Sequence, residues 1–307
     1  MKFSPKNNTM LCPLAGYTDA PFRYLCAHYG AALTVTEMVS AKALAMGNEN
    51  TKSLLVSLGE NSLRAVQLFG SDLNAYRKVV ELDILKDFDV IDINMGCPVP
   101  KIFNNGDGCA LMANIPLAKE IVKTVKESGK TVSVKFRSGI NDDTSALPFA
   151  LAMQEAGADY LTLHARSKKQ LYSGETNLKV IKETANALDI PLYGNGGVDC
   201  KDKYDEMLEK TRCYGVGIGR GAIGRPYIFS EILSLPYKFD ILRSLNFHIE
   251  KLMNYLPQRV VLNEIKKHAV FYIKGFRGAK KAADKINLAK SLEELKNTAA
   301  EFLLVTV

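Results

Sequence analysis

Several short runs in this chain end on side chains that can do chemistry. Ile91-Asp92-Ile93-Asn94-Met95-Gly96-Cys97-Pro98 closes an apolar stretch on a carboxamide and a thiol. Val132 to Lys135 ends on an amine, Tyr160 to Arg166 carries His164 and a guanidinium, and Tyr193 to Gly197 ends on Asn195, Gly196 and Gly197. A thiol of ordinary pKa is mostly protonated at neutral pH, which suits it to donate a proton. A free cysteine is often only a small buried hydrophobe, but Gly96 and Pro98 fix a turn that mere packing would not require. Lys135 is open to three uses: Schiff-base nucleophile, point charge for an anion, or snorkelling surface residue. His164 with Arg166 two positions on fits anion or base binding better than a structural role. Gln67 adds an amide near the end of Arg64 to Phe69, and Pro13-Leu14-Ala15-Gly16 a tight backbone turn after Thr9 to Pro13.

Something must bring these runs together. Strand-like stretches recur at Thr9 to Pro13, Leu33 to Thr36, Arg64 to Phe69, Val90 to Ile93, Val132 to Phe136, Tyr160 to Leu163, Ile190 to Tyr193 and Tyr214 to Ile218. Between them lie amphipathic stretches such as Ala20 to Tyr29, Leu73 to Leu85, Ile115 to Glu127, Leu147 to Ala156, Leu178 to Ala187 and Lys201 to Lys210. This alternation predicts parallel strands with helical crossovers, and eight repeats point to a (β/α)8 TIM barrel, with an open doubly wound sheet as the alternative. In a barrel the strand-end residues converge on one face. The turns Gly196-Gly197 and Gly219-Arg220-Gly221-Ala222, opening onto helices after the last two strands, then offer backbone N–H groups to a phosphate monoester. Gly219, Gly221 and Gly224 match G-x-G-x-x-G, but no βαβ unit follows, so a dinucleotide fingerprint is not implied.

Arg225 to Leu233 reads as one more helix, Pro236 breaks the chain, and from Phe239 onward only helical periodicity remains. Residues 1–238 are thus expected to form the barrel and 239–307 a small all-helical domain. The net charge is +7 over 307 residues. Much of the excess lies between Arg259 and Lys285, where Lys266, Lys267, Lys274 and five other bases face only Glu264 and Asp284. A solvated face explains such a run as readily as a polyanion partner does, until its place beside the strand-end residues is considered. Hydrophobic residues make up 47% and charged residues 24%, the balance of a globular chain rather than a disordered or fibrous one. The six cysteines have no C-x-x-C pair and no histidine at ligand spacing, so neither zinc nor a disulfide framework is expected. No cleavable leader or membrane span is legible, and cytoplasmic residence is expected.

Taken together, Pro13 to Arg23, Gln67-Leu68-Phe69-Gly70, Asp92 to Pro98, His164-Ala165-Arg166, Gly219 to Ala222 and Lys267 to Gly275 resemble the tRNA-dihydrouridine synthases. The resemblance covers nearly the whole chain. It implies an FMN-dependent enzyme that reduces the C5=C6 bond of a uridine in tRNA, with the D-loop as the expected region and NADPH as reductant. By matching motif, Pro13, Leu14, Ala15 and Gln67 would hold the isoalloxazine. Lys135 would neutralise charge at its N1/O2 edge, and His164 would line the flavin and base site. Asn195, Gly196, Gly197, Gly219 and Arg220 would clamp the ribityl phosphate. Cys97 would protonate C5, Asn94 and Arg166 would orient the uracil, and Lys266, Lys267 and Lys274 would meet the tRNA. A monomer is expected, with no metal and no membrane contact. Leu14 replaces the family's usual Met, Gly197 a common Asp, and Lys266-Lys267 an Arg-bearing pattern, which keeps charge but loses bidentate phosphate recognition. The competing readings are an FMN barrel acting on a small free substrate, a Schiff-base lyase using Lys135, and a non-catalytic RNA-binding barrel.

Overall fold

The computed structural model describes residues 3–306. Eight strands run in chain order around a closed, all-parallel barrel, and the pairing of the first with the last excludes the open sheet. They are β1 Thr9–Leu11, β2 Leu33–Ser40, β3 Leu63–Phe69, β4 Val90–Met95, β5 Thr131–Arg137, β6 Tyr160–His164, β7 Leu192–Asn195 and β8 Gly215–Ile218. Because strand side chains alternate, Ile91, Ile93 and Met95 of β4 face the surrounding helices in the main apolar core. Asp92 and Asn94 point the other way, into the barrel. The lower lumen is filled by a separate apolar layer that includes Met10, Leu33, Val90, Tyr160 and Tyr193, with the Phe3 ring stacked on Tyr160 at 4.3 Å. The amide, amine and imidazole side chains of Asn94, Lys135 and His164 lie above that layer, toward the carboxyl ends, the end where barrels of this kind carry their chemistry.

Two departures from the sequence reading bear on that end. β2 continues to Ser40 rather than stopping at Thr36, with a register shift between Val35 and Met38. The irregularity lets Thr36 Oγ1 accept the Gln67 N–H at 3.0 Å while Glu37 reaches up to the Gly16 N–H. After β8 the glycine turn opens onto a single 3-10 turn, Arg220–Ala222, and the expected helix from Arg225 forms only over Ile228–Ile232. Gly224 has φ +75°, and a Cβ there would meet the Phe271 carbonyl oxygen at 2.4 Å, so the chain turns sharply against its neighbour instead of continuing a helix.

From Asp240 onward four helices, Ile241–Met253, Gln258–Tyr272, Ala279–Leu288 and Leu292–Thr306, pack on each other. Their own apolar core includes Leu245, Ile249, Val261, Ile265, Ile286 and Leu295. This unit sits on the rim formed by the loop after β1: the Tyr17 ring meets His268 and Phe271 edge-on at 5.7 and 5.6 Å. Among the described residues, no helix is long and apolar enough to cross a membrane.

Candidate active site

A cavity of about 1230 Å³ opens at the carboxyl ends of the strands and reaches the wall made by Phe271 and Lys274. Its floor is a chain of hydrogen bonds between three neighbouring strands. Ser133 Oγ donates to Asp92 Oδ1 at 2.6 Å, and Gln67 Nε2 donates to Asp92 Oδ2 at 2.6 Å. Asn94 Nδ2 donates to Gln67 Oε1 at 2.9 Å. The other face of the same amide, Asn94 Oδ1, accepts the backbone N–H groups of Gly96 and Cys97 at 3.2 and 2.9 Å. A carboxylate can only accept, so Asp92 fixes which way Gln67 points, and Gln67 in turn fixes Asn94. Burial raises the Asp92 pKa, opposed by the bonds from Ser133 and Gln67 and by Lys135.

Cys97 is held from several sides. Arg137 Nε donates to the Gly96 carbonyl at 2.9 Å, and the Cys109 N–H donates to the Cys97 carbonyl at 3.1 Å. Gly108, at φ +58°, leaves no room behind the thiol: a Cβ there would sit 2.9 Å from the Cys97 carbonyl oxygen and 3.0 Å from its Cβ. Burial raises the thiol pKa above its ordinary value, against the pull of a backbone hydrogen bond and of Arg137 and Lys135. The sulfur therefore carries its proton at neutral pH, as a proton donor must.

Lys135, beside Asn94 in the strand register, reaches the same cavity and makes no hydrogen bond or ion pair among the described residues. Burial lowers its pKa, which marks a cation short of solvent and ready for an anionic partner. His164 is held down to about 2 by burial and by the cations Lys135, Arg137, Arg166 and Arg220 around it, so its ring is neutral. Since a guanidinium only donates, the 3.3 Å contact from Arg166 Nη1 makes His164 Nε2 the acceptor and places the ring proton on Nδ1. Arg166 lines the cavity, but its Nε and Nη2 donate to the Gly174 carbonyl at 3.1 and 2.9 Å, so it also braces the loop after β6.

The glycine turns lie across the mouth from Cys97. Asn195 Nδ2 donates to the Gly217 carbonyl at 2.7 Å and ties β7 to β8. Gly196 has φ +133°, and a Cβ there would meet Thr176 Oγ1 at 2.8 Å and the His164 ring at 3.2 Å. No acceptor among the described residues takes the N–H groups of Gly196, Gly197, Gly219 or Arg220. Unpaired N–H donors, a bare cradle and an adjacent guanidinium fit a phosphate, and Lys135 fits the electron-rich edge of a reduced flavin ring. Pro13, Leu14 and Ala15 line the facing wall. The residues present thus fit FMN.

Lys274 is exposed and lines the cavity, its Nζ 5.4 Å from the Phe271 ring centre. Lys266 and Lys267 are half-buried, and Lys267 pairs with Glu264 beside Gly16. Sequence reasoning did not single out Asp92, Ser133, Arg137 or Tyr172. Arg137 lies two positions beyond Lys135 on one strand and so on the same face, a signal the alternation contained. Tyr172 had no such signal. It stands on an irregular loop whose Leu171, at φ +53°, is held by Arg137 Nη1, and its ring lies 5.4 and 4.9 Å from the Arg137 and Arg220 guanidinium carbons.

A family model described as dihydrouridine synthase (Dus) matches residues 10–306. Among curated proteins, the tRNA-dihydrouridine synthase B of Pasteurella multocida is 33% identical over 89% of this chain and 85% of its own length. That of Vibrio parahaemolyticus is 37% identical over 74% and 71%. Among solved structures, a variant of NCR from Zymomonas mobilis aligns with TM-score 0.56 and 16% identity over 79% of this chain and 91% of its own. Histamine dehydrogenase from Rhizobium sp. 4-9 aligns with TM-score 0.58 and 13% identity over 75% of this chain, which spans about half of that longer protein (46%). At such identities the likeness is one of fold.

Proposed function

From the membership of this chain in the dihydrouridine synthase family, we propose that it reduces the C5=C6 bond of a uridine in tRNA, in the D-loop, using FMN and NADPH. The observation that carries the reading is the Cys97 thiol, its backbone fixed by the Asn94 amide, facing a cavity ringed by Lys135, Arg137, Arg166 and Arg220. A bound FMN would supply the hydride for C6 and be recharged by NADPH.

The chain's own groups do the rest. Cys97 gives its proton to C5 as C6 receives hydride, so the base gains two electrons and two hydrogens, and the thiolate is reprotonated from solvent. Asn94 and Arg166 orient the uracil. With the cofactor bound, Lys135 would oppose negative charge on the reduced flavin ring, an interaction preorganised by the barrel and strengthened by its low-dielectric setting. Pro13, Leu14, Ala15, Gln67 and His164 would line the ring, and Asn195, Gly196, Gly197, Gly219 and Arg220 would hold the phosphate.

A uracil stacked within folded RNA cannot reach the floor of this cavity, so the nucleotide must be turned out, as enzymes acting on bases require. We assign residues 1–238 to the flavin domain and 239–307 to a domain that grips the tRNA backbone through Lys266, Lys267 and Lys274, the chain acting as a monomer in the cytoplasm. The deciding experiment is an anaerobic absorbance titration. Flavin bands should bleach with NADPH and return with unmodified tRNA. A protein that neither carries FMN nor takes it up on reconstitution overturns the reading.

A further inference from the structure

Three side chains that lie far apart in sequence meet where the helical unit rests on the barrel. Asp19 caps the helix Ala20–His28 at the rim, its Oδ1 accepting the Phe22 N–H at 2.9 Å. His248 comes from Ile241–Met253 and His268 from Gln258–Tyr272, and both imidazoles are fully buried with ring centres 4.2 Å apart. His248 Nε2 lies 3.0 and 2.9 Å from the two oxygens of Asp19, and His268 Nε2 lies 3.4 Å from Oδ2. Burial works against the Asp19 charge, but the two facing imidazoles outweigh it and hold the carboxyl well below the usual range. An ionised carboxylate only accepts, so the ring nitrogen of His248 must be the donor.

The cluster has an unusual balance. His248 Nδ1 and both ring nitrogens of His268 are buried without a hydrogen-bond partner. The other polar or ionisable neighbours include Tyr17, Cys26, Glu37, Tyr255, Tyr272 and Lys267, none of which hydrogen-bonds to either imidazole. Apolar residues would glue this seam with less desolvation, so what a buried carboxylate and two imidazoles add is direction. The geometry also links the two walls of the cavity. The loop that ends in Asp19 begins with Pro13, Leu14 and Ala15, while the helix that carries His268 also carries Phe271 and ends at Tyr272, two residues before Lys274.

We propose that Asp19, His248 and His268 form a clasp that sets the angle of the helical unit over the mouth, and that they are positioning residues for the RNA half of the reaction with no part in flavin chemistry. This rests on the synthase reading above. The test compares His248→Leu with His248→Gln, whose side-chain amide returns one N–H to Asp19, in the full chain with FMN bound. Two rates are followed: bleaching of the flavin by NADPH, and its reoxidation by unmodified tRNA over a range of tRNA concentrations. For His248→Leu, the KM for tRNA should rise about tenfold or more while bleaching stays within about twofold, and His248→Gln should recover most of the loss.

An unchanged KM for tRNA in His248→Leu overturns the proposal. So does an equal loss in both half-reactions. A tightly bound divalent ion, removed by chelation together with tRNA affinity, also overturns it, because an ion rather than the carboxylate–imidazole contact would then hold the seam. Should His248→Leu fail to fold, Asp19→Asn keeps the helix cap, removes the charge and is read by the same two rates. Failure of the underlying reading looks different, since the unaltered chain would then bind no flavin or would not be reoxidised by tRNA.

Discussion

The floor of the barrel mouth and the seam under the helical unit each bury a carboxylate, and they satisfy it in opposite ways. On the floor, Asp92 receives hydrogen bonds from two neutral donors, and each amide in the chain to Cys97 is oriented by the one before it. In the seam, Asp19 faces two imidazoles while three ring nitrogens remain unpaired. A fully paired network in low dielectric is rigid, whereas a charge held by few partners depends on all of them. The contrast teaches that the site for the reacting atoms is fixed by hydrogen-bond direction on neighbouring strands. In the proposal made above, the reach toward a large substrate depends on the directed contacts of Asp19 within a seam that is otherwise packed by aromatic rings such as Tyr17, Phe22 and Phe271.

The sharpest way to break this comparison is to remove the group that the floor exists to hold. Cys97→Ala should leave FMN bound and reducible by NADPH while slowing reoxidation by tRNA roughly 10²- to 10⁴-fold, measured by stopped-flow absorbance. In the unaltered protein the same step should show no loss around neutral pH and should fall only at alkaline pH as the donor loses its proton, later than an ordinary thiol would because burial raises the Cys97 pKa.

Next in size is the orienting chain itself. Asp92→Ala takes away the acceptor that fixes Gln67, and tRNA-driven reoxidation should drop roughly 10- to 100-fold with FMN retained. Asp92→Asn can still accept from Gln67 and donate to Ser133, so it should stay close to the unaltered rate; equal losses in both variants would sink the relay. For the seam, Gly224→Ala places a methyl group against the Phe271 carbonyl at a positive φ. It should cost about 1–3 kcal/mol by chemical denaturation and weaken tRNA binding more than FMN binding. The smallest effect belongs to Lys274→Ala. The slope of log affinity against log salt should fall by about 1, and an unchanged slope would remove Lys274 from the phosphate contacts.

Much of the barrel was legible because its signals are local. Apolar runs of strand length, each followed by an amphipathic crossover, marked all eight strands to within a few residues, and the strand-end positions of Asn94, Lys135, His164 and Asn195 followed from them. The short helices Ala41–Ala45 and Pro100–Asn104 escaped that reading, since five residues complete little more than one turn and leave no periodicity to detect. The basic run after Arg259 was visible as charge, yet charge alone could not tell exposed Lys274 from Lys267, which is half-buried and paired with Glu264.

The sequence by itself determined the alternation that makes a barrel, the turn that presents Cys97 and the family the motifs resemble, because each of these is written in residues within a few positions of one another. Closure of β8 onto β1, the proton direction along Ser133, Asp92, Gln67 and Asn94, and the meeting of Asp19 with His248 and His268 were decided only by the tertiary structure. Asp19 and His248 are brought into contact across 229 positions of sequence. No local preference encodes such a contact; it exists only once the barrel and the helical unit have each packed and come to rest on one rim.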